Sequence, residues 1–128
     1  MSYNIARTIN PSFALCSFSS LASGNVEFTF VDGDFIPNIS TSLLTLDAGY
    51  EYFLVSSPSP LSGDTACSYR HIVDGVEGDL YAIQATSLSG GLDQQFTSQQ
   101  ADSSISFQIY ADSAISNNSR LEIWRMPL

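Results

Sequence analysis

Ser104-Ile-Ser-Phe-Gln-Ile-Tyr110 and Arg120-Leu-Glu-Ile-Trp-Arg-Met126 decide the reading of this chain. Side chains of an extended chain point alternately to opposite faces. Ile105, Phe107 and Ile109 therefore share one face, with Ser104, Ser106, Gln108 and Tyr110 on the other. Leu121 and Ile123 likewise stand opposite Arg120, Glu122 and Trp124. Upstream, Val26, Phe28 and Phe30 alternate with Glu27, Thr29 and Val31. This is the period of a half-buried strand, and no stripe at helical spacing competes with it. Composition agrees, because serine fills positions where a helix would gain from Ala, Glu or Lys.

Filling in weaker runs gives about eight strands, near 12–18, 25–31, 41–46, 49–57, 66–73, 79–88, 103–111 and 119–126. Turn chemistry separates them: Asp32-Gly33-Asp34, Asp47-Ala48-Gly49, Pro58-Ser59-Pro60, Asp74-Gly75, Gly90-Gly91 and Asn117-Asn118. Pro58 and Pro60 predict an exposed loop over 58–65. The Gln- and Ser-rich stretch 89–102 reads as a second, mobile loop. With 128 residues and 44% hydrophobic composition, the chain is expected to form one all-β sandwich domain over 12–128. Residues 1–11, which lack alternation, are expected to be an arm or a first strand.

Charge narrows the function. Thirteen acids face four bases, all arginine, for a net charge of -9. Such a chain repels phosphate and anionic lipid, so neither nucleic acid nor membrane is an expected partner. No apolar run approaches the roughly 20 residues of a membrane span, and the first residues do not read as a signal peptide, so a soluble protein is expected. Cys16 and Cys67 read as buried apolar residues rather than a disulfide framework. Asn38 and Asn117 open formal glycosylation sequons, which carry no weight without secretion.

Catalytic constellations fail on geometry. His71 is the one histidine, and Ser68, His71 and Asp74 tempt a triad. On one strand, however, Ser68 and Asp74 share a face that His71 does not, so His71 is expected at the surface or an interface. Asp32 with Asp34, and Asp74 with Glu77 and Asp79, are the two acidic turns that could offer oxygens to calcium. Neither has the spacing of a calcium loop, and Asp-Gly is first a turn dipeptide. Thirteen acids leave paired-carboxylate glycan hydrolysis open in principle, but nothing selects a pair. No phosphate loop, zinc motif or dinucleotide fingerprint occurs, so no cofactor, no metal and no enzyme activity are expected.

Aromatic residues point elsewhere. Tyr50, Tyr52 and Leu54 lie on one face of their strand and Glu51, Phe53 and Val55 on the other, so both faces carry apolar bulk. A sandwich strand facing solvent on one side should not look like this, and the second face is expected to meet a covering loop or another subunit. Tyr69, Tyr81, Tyr110 and Trp124 join Tyr50 and Tyr52 as candidate subunit-interface residues, Tyr and Trp being enriched in such contacts.

Gly49-Tyr-Glu-Tyr-Phe-Leu-Val-Ser-Ser-Pro-Ser-Pro60, Tyr69-Arg-His-Ile-Val-Asp-Gly75, Tyr81-Ala-Ile-Gln-Ala-Thr-Ser87 and the closing Arg120–Met126 run resemble one family over residues 49–128. The pattern is similar to the small jelly-roll domains, of tumour necrosis factor-like fold, found in virion proteins of tailed bacteriophages. Where that family carries a glycine before the Thr-Ser pair, this chain has Gln84-Ala85. The resemblance implies an eight-stranded jelly roll, a homotrimer, and a place on the capsid surface, with the major capsid protein or another virion protein as partner. It implies a capsid decoration (cement) protein or, alternatively, a receptor- or glycan-binding fibre tip, and it carries no catalytic residues. In the cement reading Tyr3, Ile5 and Arg7 belong to an N-terminal arm that docks on the shell.

Overall fold

The computed structural model describes residues 11–59, 67–83 and 94–128. Among them are twelve strands and no helix: β1 (Ser12–Ser20), β2 (Gly24–Asn25), β3 (Glu27–Gly33), β4 (Asn38–Ser40), β5 (Leu43–Leu46), β6 (Tyr50–Ser57), β7 (Cys67–Val73), β8 (Val76–Glu77), β9 (Tyr81–Ile83), β10 (Gln95–Ala101), β11 (Ile105–Ala111) and β12 (Ile115–Pro127). They form two antiparallel sheets. The first runs β10-β6-β12-β1-β3 and the second β4-β5-β11-β7-β8, with β2 added to β11 and β9 to β7.

The alternating runs place the core between the sheets. Ala14, Cys16 and Phe18 from β1, Tyr52 and Leu54 from β6, and Leu121 and Ile123 from β12 meet Leu44 and Leu46 from β5, Cys67 and Tyr69 from β7, and Ile105, Phe107 and Ile109 from β11. Each strand supplies every second residue, as a two-layer packing requires. Phe28 ties the layers together, its ring 6.3 Å from both Phe18 and Phe107. Near Val26 the chain changes sheets: β2 pairs with β11, the Val26 amide donates to the Ile109 carbonyl at 2.9 Å, and β3 then pairs with β1.

Glycine is required at one place. Gly33 has φ +145°, and a Cβ there would meet the Phe13 carbonyl oxygen and lie 2.6 Å from Ala14 Cα. It follows a register shift between Leu15 and Cys16, where Val31 is the extra residue of a bulge.

Three expectations about chain order are corrected. Residues 95–101 of the supposed loop 89–102 are strand β10, paired residue for residue with β6 from Gln95↔Ser56 to Ala101↔Tyr50. The stretch misleads because its core-facing positions are Gln95, Thr97 and Gln99, so no apolar alternation marks it. The predicted strand 79–88 begins as β9 at Tyr81, and its residues 84–88 lie outside the described set. The final strand is longer than predicted, because Ile115–Asn118 extend it beyond the apolar run.

Candidate functional site

The outward face of the five-stranded sheet is an aromatic surface. Register sets it in two rows. Phe13 stands opposite Trp124, and Trp124 opposite Phe53. In the next row Leu15 stands opposite Glu122, Glu122 opposite Val55, and Val55 opposite Phe96. The Phe13 and Trp124 rings are 4.5 Å apart and the Phe53 and Phe96 rings 5.8 Å apart. Trp124 also donates its indole N–H to Glu122 at 3.2 Å, and its ring is inclined 43° to that of Phe13. Phe96, on the edge strand, is 60% exposed, and the others are partly buried by one another.

The face follows from the sequence locally. Ala14, Cys16 and Phe18 claim the inside of β1, so Phe13 and Leu15 must point out, as Phe53 and Val55 do once Tyr52 and Leu54 are inside. Phe13, Leu15 and Phe96 are absent from the predicted interface set. The signal that could have found the first two was the apolar residue on both faces of strand 12–18; Phe96 was hidden in the supposed loop.

Of the six aromatics predicted at an interface, Tyr52 and Tyr69 are corrected to core residues, 1% and 0% exposed. Their hydroxyls are satisfied within the protomer: Tyr52 donates to the Asp47 carbonyl at 3.0 Å, and the Tyr69 and Ser56 hydroxyls are 3.1 Å apart. Tyr50 is partly buried and forms one side of a stack in which the Arg125 guanidinium lies 4.1 Å from its ring and 3.8 Å from that of Phe35. Tyr81 and Tyr110 are exposed, the former 6.4 Å from the Tyr69 ring and the latter paired with Arg70 across β11 and β7. Trp124 alone of the six belongs to the aromatic rows. Tyr3, Ile5 and Arg7 lie outside the described residues.

The acidic turns have backbone duties. Asp32 Oδ1 accepts from the Gly33 amide at 2.9 Å, and Asp34 Oδ2 from the Phe13 amide at 3.1 Å. Asp74, at φ 52°, turns the chain from β7 to β8, and Glu77 pairs with Arg70 at 2.7 Å. Among the described residues no three metal-ligating side chains converge.

His71 is also corrected: it faces inward beside Tyr69 and is 2% exposed. Its Nε2 lies 2.6 Å from Ser56 Oγ and its Nδ1 2.5 Å from Thr97 Oγ1, so the imidazole bridges the two sheets between hydroxyls. Burial pushes its pKa down to about 4, because the charged ring would lose its hydration. The Ser56 hydroxyl is itself completely buried, which denies a substrate the approach a nucleophile needs. Ser56, His71 and Thr97 thus form a polar brace in the core. An open cleft of about 430 Å³ lies beside it, lined by His71, Thr97, Gln95 and Gln99 and by the β7–β8 hairpin.

No family model and no curated protein matches this chain.

Proposed function

We propose that the protein is a virion structural subunit of a tailed bacteriophage, a homotrimeric capsid decoration protein that strengthens the head shell. The observation that carries assembly is the aromatic face: Phe13, Leu15, Phe53, Val55, Phe96 and Trp124 stand around Glu122 on the outside of a sheet whose inside is already filled. Apolar surface of this kind is hidden by association, and closed cyclic symmetry hides it without leaving a growing end. The jelly-roll reading finds support in the strand pairing. With β1, β5, β6, β7, β9, β10, β11 and β12 taken as the eight principal strands, the first pairs with the last, the second with the seventh, the third with the sixth and the fourth with the fifth. That is a long hairpin rolled into two layers, and β2, β3, β4 and β8 are additions to it. The phage capsid as the site of assembly rests on the resemblance of residues 49–128.

Light scattering after size exclusion tests the assembly. The expected species has three times the 13.9 kDa chain mass, and Phe96→Arg, on the exposed edge strand, should return it to monomer without unfolding it. A wild-type monomer at all concentrations overturns self-assembly through this face. Co-sedimentation of the purified protein with head shells of the phage that encodes it tests the location, and a protein left in the supernatant overturns the decoration role.

A further inference from the structure

Glu122 breaks the apolar character of the outward face from its middle. Its cross-strand neighbours are Leu15 on β1 and Val55 on β6, and the adjacent row is Phe13, Trp124 and Phe53. The residue is partly buried among them, and one carboxylate oxygen accepts the Trp124 indole N–H at 3.2 Å. A carboxylate has about four acceptor sites, so this bond leaves capacity for a second donor.

Any surface that covers the face strips water from this charge, and a dry carboxylate is costly unless a cation meets it. Two copies packed with this face centred on itself would bring their Glu122 carboxylates into one contact, where like charges repel. The face therefore suits a different surface of its partner, a heterologous contact of the kind that closes a ring. The matching chemistry is a cation flanked by apolar side chains: the cation for Glu122 and the neighbouring aromatic rings, the apolar groups for Phe53, Val55 and Phe96.

This chain carries such a segment. Wherever residues 3–9 are extended, Tyr3, Ile5, Arg7 and Ile9 fall on one side, although their apolar bulk is too slight to mark a core strand. The other three arginines are engaged within the protomer. Arg70 pairs with Glu77 at 2.7 Å, Arg125 stacks on Phe35 and Tyr50, and Arg120 donates to the Asn117 and Ser119 carbonyls at 2.9 and 3.1 Å.

We propose that residues 3–9 of one copy lie across the aromatic face of the next, with Arg7 on Glu122 and Tyr3, Ile5 and Ile9 against the surrounding rings. The inference rests on the assembly reading above and names what fills its interface. Chain direction favours the neighbour's face over the chain's own. β1 passes Phe13 before Leu15, so the residues ahead of Ser12 leave the face past its end. Pro11, exposed at that exit, disfavours the helical region at the residue before it and sends the chain onward rather than straight back. Extended, residues 1–10 reach roughly 33 Å. The face from β1 to β10 is three strand spacings wide, about 14 Å, so the segment is long enough to arrive and to cross.

The test is light scattering of the full chain over a concentration series, with Arg7→Glu, Glu122→Arg and the double exchange. Arg7→Glu leaves every described contact untouched, and Glu122 points out of the sheet, so all three should fold. Each single reversal should raise the concentration at which the trimer half-dissociates about tenfold or more, and the double exchange should restore it to within about threefold of wild type. Assembly unaltered by Arg7→Glu overturns the proposal and leaves the aromatic-face reading standing. Assembly lost in Glu122→Arg and not regained in the exchange also overturns it, because the cation then comes from another partner. A wild-type monomer overturns both. Arg7→Cys combined with Glu122→Cys separates neighbour from self: oxidation should give a covalent trimer on a non-reducing gel, and monomer bands alone overturn the exchange between copies.

Discussion

Acidification should expose the cost of the His71 brace. The imidazole is neutral in the folded state down to about pH 4, whereas in the unfolded chain it takes up a proton near its ordinary value of 6.5. A base whose folded pKa is depressed contributes its full stability above the unfolded value. That contribution is lost as pH falls from 6.5 toward 4, because the unfolded state then binds the extra proton. Linkage across this window gives a loss of about 2 kcal/mol between pH 7 and pH 5. In urea that is a fall in midpoint of about 1 M for a domain of this size.

Trp124 is the one tryptophan and sits on the outer face rather than at the brace, so its fluorescence reports unfolding of the whole domain. The comparison is with His71→Gln at equal protein concentration, since any assembly couples stability to concentration. The variant should be less stable at pH 7, through weakened bonds to Ser56 and Thr97, but its midpoint should move much less between pH 7 and pH 5. The facing titratable groups are Tyr69 on the same strand and Asp74 and Glu77 along the cleft, and all three are present in both proteins. Equal pH dependence in the two would refute the argument, because the histidine would then not be the group whose protonation opposes folding.

Two further outcomes follow from local geometry. Gly33→Ala forces a Cβ against the Phe13 carbonyl at a φ that L-residues rarely adopt, and should cost about 3 kcal/mol, read as a lowered thermal midpoint; an unchanged midpoint would mean the bulge relaxes freely. Burial holds the Cys16 thiol up at about 11 and raises Cys67 as well, so a disulfide reagent at pH 8 should label both only as fast as the protein opens; prompt labelling of the native protein would contradict their placement.

Much of the fold was legible because period-two alternation is a local property. Val26 and Phe28, Ile105, Phe107 and Ile109, and Leu121 and Ile123 each announced which residues share a face, and all are buried. Strand β10 was not legible, because a strand with glutamines inside and a phenylalanine outside has the composition of a loop; its pairing with β6 is supplied by backbone hydrogen bonds, which the side chains do not encode. The same limit put Tyr52 among the outward aromatics, where the structure buries it. Alternation says that Tyr52 and Leu54 oppose Phe53 and Val55, but with apolar residues on both sides it cannot say which set faces the core.

The sequence by itself determined the all-β class, the turn at Asp74-Gly75, the burial of Cys16 and Cys67, and a charge that disfavours nucleic acid; Asp32 and Gly33, read as a turn, are the end of β3, paired with Leu15 and Ala14. Those follow from backbone stereochemistry, composition and the sign of charge, which need no distant partner. Tertiary structure alone decided that Tyr52, Tyr69 and His71 lie inside, that Phe13, Phe53, Phe96 and Trp124 gather outside, and that Gln95 is buried beside an open cleft. Each of these depends on pairing between segments far apart in the chain, such as β1 with β12 and β6 with β10, and register between distant strands is fixed only when the two sheets close on a common core.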